Sequence, residues 1–191
     1  MIEQYEVEKI KVIGSNYMAG SGLPIPNAKH AANMADFALA LVDQVKQFNR
    51  EKEGDLQWKI GIAVGSVVAG VIGSAKFTYD VFGDTVNTAS RMYSFSPVNE
   101  IQMTQVASEF ISCTHKTEEH PESPINIKGK GLMRTFLLRS RHQGNKIAAT
   151  ETRLARVEPT QEKSHANSRR SSISEGFRER KESQKPHVLQ V

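Results

Sequence analysis

Polar and apolar positions alternate almost from the start. Glu8-Lys9-Ile10-Lys11-Val12-Ile13-Gly14 has the period of a half-buried strand. Gly14-Ser15-Asn16 supplies a turn, and 17–22 reads as the returning strand of a hairpin, ended by Pro24 and Pro26. The period then changes. Met34, Phe37, Leu41, Val45 and Phe48 recur at spacings of three and four, which predicts a helix over about 28–50 with one apolar stripe. Residues 58–64 and 67–73 read as two strands joined at Gly65-Ser66. A short strand before Gly83 leads into a helix through 84–92. A strand near 101–103, a helix near 105–111 and strands around 125–127 and 135–138 follow. Helices interleaved with antiparallel hairpins predict an α+β sandwich.

The apolar periodicity stops early. Of the 191 residues, those from about Glu6 to Arg139 carry nearly all of it, so 1–139 reads as the folded domain. Residues 140–191 are rich in Arg, Lys, Glu, Ser, Gln and His, and cannot bury enough surface to offset their ordering entropy; they read as a disordered basic tail. The net charge of +4 comes largely from that tail and is read as a solvated linker, with no nucleic-acid partner. Cys113 is the single cysteine, which excludes an internal disulfide and a cysteine-based metal site and fits a reducing compartment. The opening residues do not form a signal peptide, and the apolar stretch 60–73, broken by four glycines, is too short to span a bilayer. The fragment reads as soluble, which leaves open its being one piece of a membrane protein. His30, His115 and His120 have no metal-ligand spacing and read as surface residues.

The candidate chemistry sits after Gly83. Asn87 and Arg91 are four residues apart, so a helix puts them on one face, while Val86, Ala89 and Tyr93 can turn to a core. An amide and a guanidinium facing the same way suit a ribose and a polyphosphate, because the planar guanidinium forks onto phosphate oxygens. Gly65-Ser66-Val67-Val68-Ala69-Gly70 has the glycine spacing of a phosphate-binding loop, but Val71-Ile72 stands where that loop needs Lys and a hydroxyl. Those glycines read instead as places of close approach by a strand or a partner subunit.

Four separated segments, in order, resemble the catalytic domain of class III nucleotide cyclases: 9–19, 65–73, 79–92 and Ile125-Asn126-Ile127-Lys128-Gly129-Lys130-Gly131. Within that family the chain resembles the second catalytic half of animal-type membrane adenylyl cyclases, whose active site forms between two unlike halves. The resemblance implies a ferredoxin-like α+β domain with an antiparallel-rich sheet, lacking the first strand and helices that family domains carry before Glu6. It implies that Lys11 and Asp80 hold the purine: a lysine donor suits an adenine ring nitrogen, and an aspartate can accept from the exocyclic amine. Asn87 would orient the ribose, Arg91 would stabilise charge on the phosphates, and Lys128, with Lys130 as a further candidate, would meet the terminal phosphates.

The implied reaction forms 3′,5′-cyclic AMP and pyrophosphate from ATP with two Mg²⁺ ions. Metal-binding halves carry an aspartate directly after the hairpin glycine, where this chain has Ser15, a poor magnesium ligand. The metal carboxylates are therefore expected from a partner half, and Ser15 fits the degenerate pocket that takes a plant diterpene in many members. The parent is expected at the cytoplasmic face of a membrane, with G-protein subunits as candidate partners. Two alternatives stand beside this reading: an inactive regulatory or dimerisation module, and a guanylate cyclase, whose members also show Gly83-Asp84-Thr85-Val86-Asn87. In the tail, Arg169-Arg170-Ser171-Ser172-Ile173 resembles a basophilic kinase site with Ser172 as acceptor.

Overall fold

A computed structural model describes residues 2–74 and 77–142, together with the backbone of 187–190. Ser172 and most of the expected tail lie outside these residues. After a 3₁₀ turn at Glu3–Tyr5, strands β1 (Val7–Ile13) and β2 (Asn16–Ser21) form the predicted hairpin, and α1 runs over His30–Lys52. Strands β3 (Ile60–Val64), β4 (Val68–Ile72) and β5 (Thr78–Phe82) lead into α2 (Asp84–Phe95). Then come β6 (Ile101–Thr104), α3 (Gln105–Ile111), β7 (His115–Glu119), β8 (Ile125–Ile127), β9 (Gly131–Met133), β10 (Thr135–Arg141) and β11 (His187–Gln190).

Seven strands make the main sheet in the order β1-β2-β11-β3-β6-β10-β7, antiparallel except between β3 and β6. Two small hairpins, β4–β5 and β8–β9, stand apart from it. The expected α+β architecture, antiparallel-rich with packed helices, is the one found. The two strands joined at Gly65-Ser66 do not pair with each other: β3 is central in the sheet, whereas β4 turns away to pair with β5.

Each face of the sheet has its own core. Met34, Phe37, Ala38 and Val42 of α1, with Ala107 and Ile111 of α3, pack on Ile60, Ile62, Ile101, Met103 and Leu138. Opposite, Ala89 of α2 packs with Ile10, Met18, Ala63 and Val81. Gly61 decides how closely α2 can lie. A Cβ there would come within 2.1 Å of the Tyr93 nitrogen and 2.5 Å of the Ala89 carbonyl oxygen, so the helix backbone rests on the bare strand. The α1 stripe runs out before its end: Phe48 is 49% exposed, while small side chains such as Ala31, Ala35 and Ala38 join Met34 and Phe37 inside.

Two expectations are corrected. First, His30, His115 and His120 are buried, not on the surface. His115 bridges Thr114 Oγ1 through Nδ1 at 2.8 Å and Asp36 Oδ1 through Nε2 at 3.1 Å, and Asp36 Oδ2 accepts from Arg141 at 2.9 Å. A charged neighbour on α1, far away in sequence, makes burial of that ring tolerable. Second, β7 and β9 were not expected. β7 is an edge strand carrying Lys116, Glu118 and Glu119, and charges of that kind protect an edge from further pairing while hiding the strand pattern. β10 runs to Arg141, and His187–Gln190 form β11 in the main sheet. Among the described residues, no helix is long and apolar enough to cross a membrane.

Candidate active site

An irregularity in the first strand aims the first site residue. The β1–β2 register pairs Lys9 with Ala19 but Lys11 with Met18, so β1 holds an extra residue at Ile10. A bulge of this kind bends the strand and re-aims the side chains beyond it. Ile10 drops into the core beside Val81, and Lys11 reaches across to β5. Its Nζ lies 2.7 Å from Asp80 Oδ2, and the other carboxylate oxygen accepts the Val81 N–H at 2.8 Å. Partial burial pushes the Asp80 carboxyl up; the Lys11 hydrogen bond, the Val81 N–H and the Lys11 charge outweigh it and hold the pKa below the usual carboxylate value. At neutral pH the pair is thus one cationic donor and one anionic acceptor, side by side. Gly70 stands opposite Asp80 on β4, and a Cβ at Gly70 would meet nothing within 4 Å. One flank of the pair is open.

The second group is carried by α2. Gly83, at φ 137°, makes the break between β5 and the helix, a conformation open to glycine and costly elsewhere. Thr85 Oγ1 donates to the Ser66 carbonyl at 2.8 Å and pins the first turn to the β3–β4 connection. Gly65 leaves room for that contact, since a Cβ there would sit 2.5 Å from Thr85 Oγ1. With Thr85, Thr88, Ala89 and Met92 turned inward, Asn87 and Arg91 are left on the exposed face, one turn apart as the spacing predicts. Neither makes a side-chain hydrogen bond or ion pair with another described residue. Lys11–Asp80 and Asn87/Arg91 flank one core cluster, that of Ile10, Val81 and Ala89.

The β8–β9 turn brings the remaining lysines. Gly129 (φ 80°) and Gly131 (φ 74°) fold it tightly, so Lys128 and Lys130 lie on a turn and do not share one face of a strand as expected. Lys130 Nζ is bound to the carboxylate of Asp84 in the first turn of α2, while Lys128 is exposed and without a partner among the described residues. Asp84 is the member of the site that sequence reasoning missed. Its one signal was an acid at a helix N-terminus, where a capping role is the ordinary reading. Ser15 is exposed on the β1–β2 turn beside Gly14 at φ 60°. With Asp80 engaged by Lys11 and Asp84 by Lys130, the donors do not fit a magnesium pair. No group of three or more His, Cys, Asp or Glu among the described residues could hold a metal ion.

Residues 1–140 match the sequence profile of the adenylate and guanylate cyclase catalytic domain. The chain belongs to that family. It is 40% identical over 159 residues to an adenylate cyclase of Mycobacterium tuberculosis, covering 83% of this chain and 34% of that protein. A membrane guanylyl cyclase of Dictyostelium discoideum is 36% identical over 138 residues, covering 72% of this chain and 9% of that protein. The chain thus spans about a third or less of the length of these relatives. Among solved structures, the catalytic core of a rhodopsin-guanylyl cyclase with converted specificity, in complex with ATPαS, is 33% identical. It superimposes with a TM-score of 0.68, over 73% of this chain and 75% of that one.

Proposed function

We propose that this domain is the substrate-binding half of a heteromeric adenylate cyclase, similar in role to the second half of the animal membrane enzymes. The observation that carries the choice of ATP is the 2.7 Å Lys11–Asp80 pair. On binding, Lys11 donates to a ring-nitrogen acceptor of adenine and Asp80 accepts from the exocyclic amine, so each group exchanges its partner in the ion pair for a base edge. Asn87 orients the ribose. Arg91, Lys128 and Lys130 meet the phosphates, and Lys130 leaves Asp84 to do so. The ribose 3′-oxygen attacks the α-phosphorus and loses its proton; the bond from that phosphorus to the bridging oxygen breaks, and the electron pair leaves with pyrophosphate. Fixed cations that meet the growing negative charge are the main contribution such a half can make.

Magnesium is assigned to the partner half, whose aspartates replace what Ser15 cannot offer. The apolar residues left exposed on two hairpins, Val12 and Ile13 on one and Val68, Val71, Ile72 and Phe82 on the other, suit a face that such a partner covers. We place the parent protein at the cytoplasmic face of a membrane, under G-protein control, with a diterpene pocket at Ser15. The adenylate cyclase of Mycobacterium tuberculosis and the ATPαS-bound converted cyclase favour ATP by likeness; the Dictyostelium relative and Gly83-Asp84-Thr85-Val86-Asn87 favour a guanylate enzyme. The test is cyclic nucleotide production by this chain mixed with a metal-bearing half, from Mg-ATP and Mg-GTP in parallel. Cyclic AMP in excess supports the proposal, and cyclic GMP in excess overturns the choice of base. A folded, paired chain that turns over neither nucleotide is a regulatory module.

A further inference from the structure

Lys128 and Lys130 are neighbours on the β8–β9 turn, yet their surroundings differ. Lys128 has no partner among the described residues, whereas the Lys130 ammonium is bonded to the Asp84 carboxylate in the first turn of α2. The two partners of that pair are mounted differently. Asp84 is held firmly. Thr85 Oγ1 beside it donates to the Ser66 carbonyl, and one turn on Thr88 Oγ1 donates to the Asp84 carbonyl oxygen at 2.9 Å. Gly83, the helix N-cap, has no side chain to offer, so the Asp84 carboxylate also meets the positive end of the helix dipole and keeps a favourable place when the lysine leaves.

Lys130 is the movable partner. Gly129 and Gly131 flank it, and a Cβ at either would meet nothing within 4 Å, so the turn can shift without collision. Its ammonium is a point charge on a flexible stem, which changes partners without the fixed fork geometry an arginine demands. The Asp84 side chain is 75% exposed, and an ion pair so open to water is held weakly.

We propose that Asp84 is a positioning residue that acts through Lys130. It holds the lysine as an internal substitute for a phosphate, yields it to the terminal phosphates of the substrate, and takes it back as pyrophosphate leaves. This rests on the assignment of Lys128 and Lys130 to the phosphates made above. A carboxylate carries one negative charge, whereas a terminal phosphate near neutral pH carries close to two and has three strong acceptor oxygens, so it displaces Asp84. A chloride or carboxylate ion offers Lys130 no more than it already has. Because Lys130 must leave a partner, its apparent affinity for phosphate is lowered by the fraction of molecules in which it is free. Lys128 bears no such cost. The two lysines thus divide the work: one draws in any phosphate, and the other closes on a polyphosphate and lets the product go.

The test is titration of the full chain with inorganic pyrophosphate, followed by calorimetry and by the amide signals of Gly129 and Gly131. Asp84→Asn should tighten pyrophosphate binding about fivefold, the weight of one exposed ion pair, while Asp84→Glu, which keeps the anion, should not. The decisive comparison repeats Asp84→Asn in two backgrounds. With Lys130→Ala it should change nothing, and with Lys128→Ala the gain should persist. An equal gain without Lys130 overturns the proposal, because Asp84 then acts only as a general negative charge. No gain from Asp84→Asn, where Lys130→Ala still weakens binding, overturns it and leaves the phosphate assignment standing. Pyrophosphate that does not bind, or that binds without help from either lysine, removes the phosphate assignment itself and the proposal with it. If Asp84→Asn does not fold, Asp84→Ser gives the same comparison, since serine also suits a helix N-terminus.

Discussion

The two ends of the main sheet use charge in opposite ways. At the β10–β7 end, charges are bonded to one another: Arg139 to Glu118 at 2.8 Å and Glu100 at 2.6 Å, Arg134 to Glu119 at 2.6 Å, and Arg141 to Asp36 at 2.9 Å, a carboxylate that is also hydrogen-bonded to buried His115. The arginine hydrogen bonds depress the Glu118 and Glu119 carboxyls below their usual values. Around the small core at the β1 end, Arg91, Asn87 and Lys128 have no such partners among the described residues, and Lys11 and Lys130 each have a single carboxylate on a neighbouring element. A region that only holds the fold gains by neutralising its charges internally. On the function proposed above, a region that receives a polyanion leaves donors uncommitted, at a cost in stability the other end can bear.

The largest effect is expected at Gly61, on which both ends depend. Gly61→Ala drives a methyl group into the backbone of α2 and should cost about 4 kcal/mol or more, because neither strand nor helix backbone can yield cheaply. Chemical denaturation would read it, and a loss below about 1 kcal/mol would mean that α2 floats above the strand. Arg91→Ala should do the reverse. On an exposed helix face it should shift stability by less than about 0.5 kcal/mol, yet lower turnover with a metal-bearing partner about 100- to 1000-fold. Unchanged turnover would remove Arg91 from the site.

At the other end, Asp36→Asn leaves exposed Arg141 without its anion and buried His115 without a carboxylate partner. It should cost about 1–2 kcal/mol, the loss of a hydrogen bond to a buried ring and of an exposed ion pair, and leave the ratio of ATP to GTP turnover unaltered. A changed ratio would show that the two ends are not independent. The smallest effect concerns Asp80. Its folded pKa lies below the unfolded value, so the Lys11–Asp80 contribution is complete above the ordinary carboxylate range and is lost as the pH falls through the folded pKa. Wild type and Asp80→Asn should therefore differ most in stability at neutral pH and converge in acid. Melting curves between about pH 7 and pH 3 would show it, and a difference that widens in acid would contradict the assigned sign.

Much of the fold was legible in the sequence because it is local. The alternation through 8–14, the return strand, the stripe of α1, the break at Gly83 and the Asn87/Arg91 spacing each depend on a handful of consecutive residues and on the periods of strand and helix. Sequence also placed Lys11 and Asp80 as a pair through a family resemblance. Tertiary structure alone decided the rest. The bulge at Ile10 that lets Lys11 reach Asp80 is a matter of register between two strands. The capture of Lys130 by Asp84, the burial of His115 against Asp36, and the position of β11 between β2 and β3 join residues dozens of positions apart. Such contacts are settled by which strands lie next to each other and which backbone groups would otherwise be buried unbonded, and no periodicity along the chain records that.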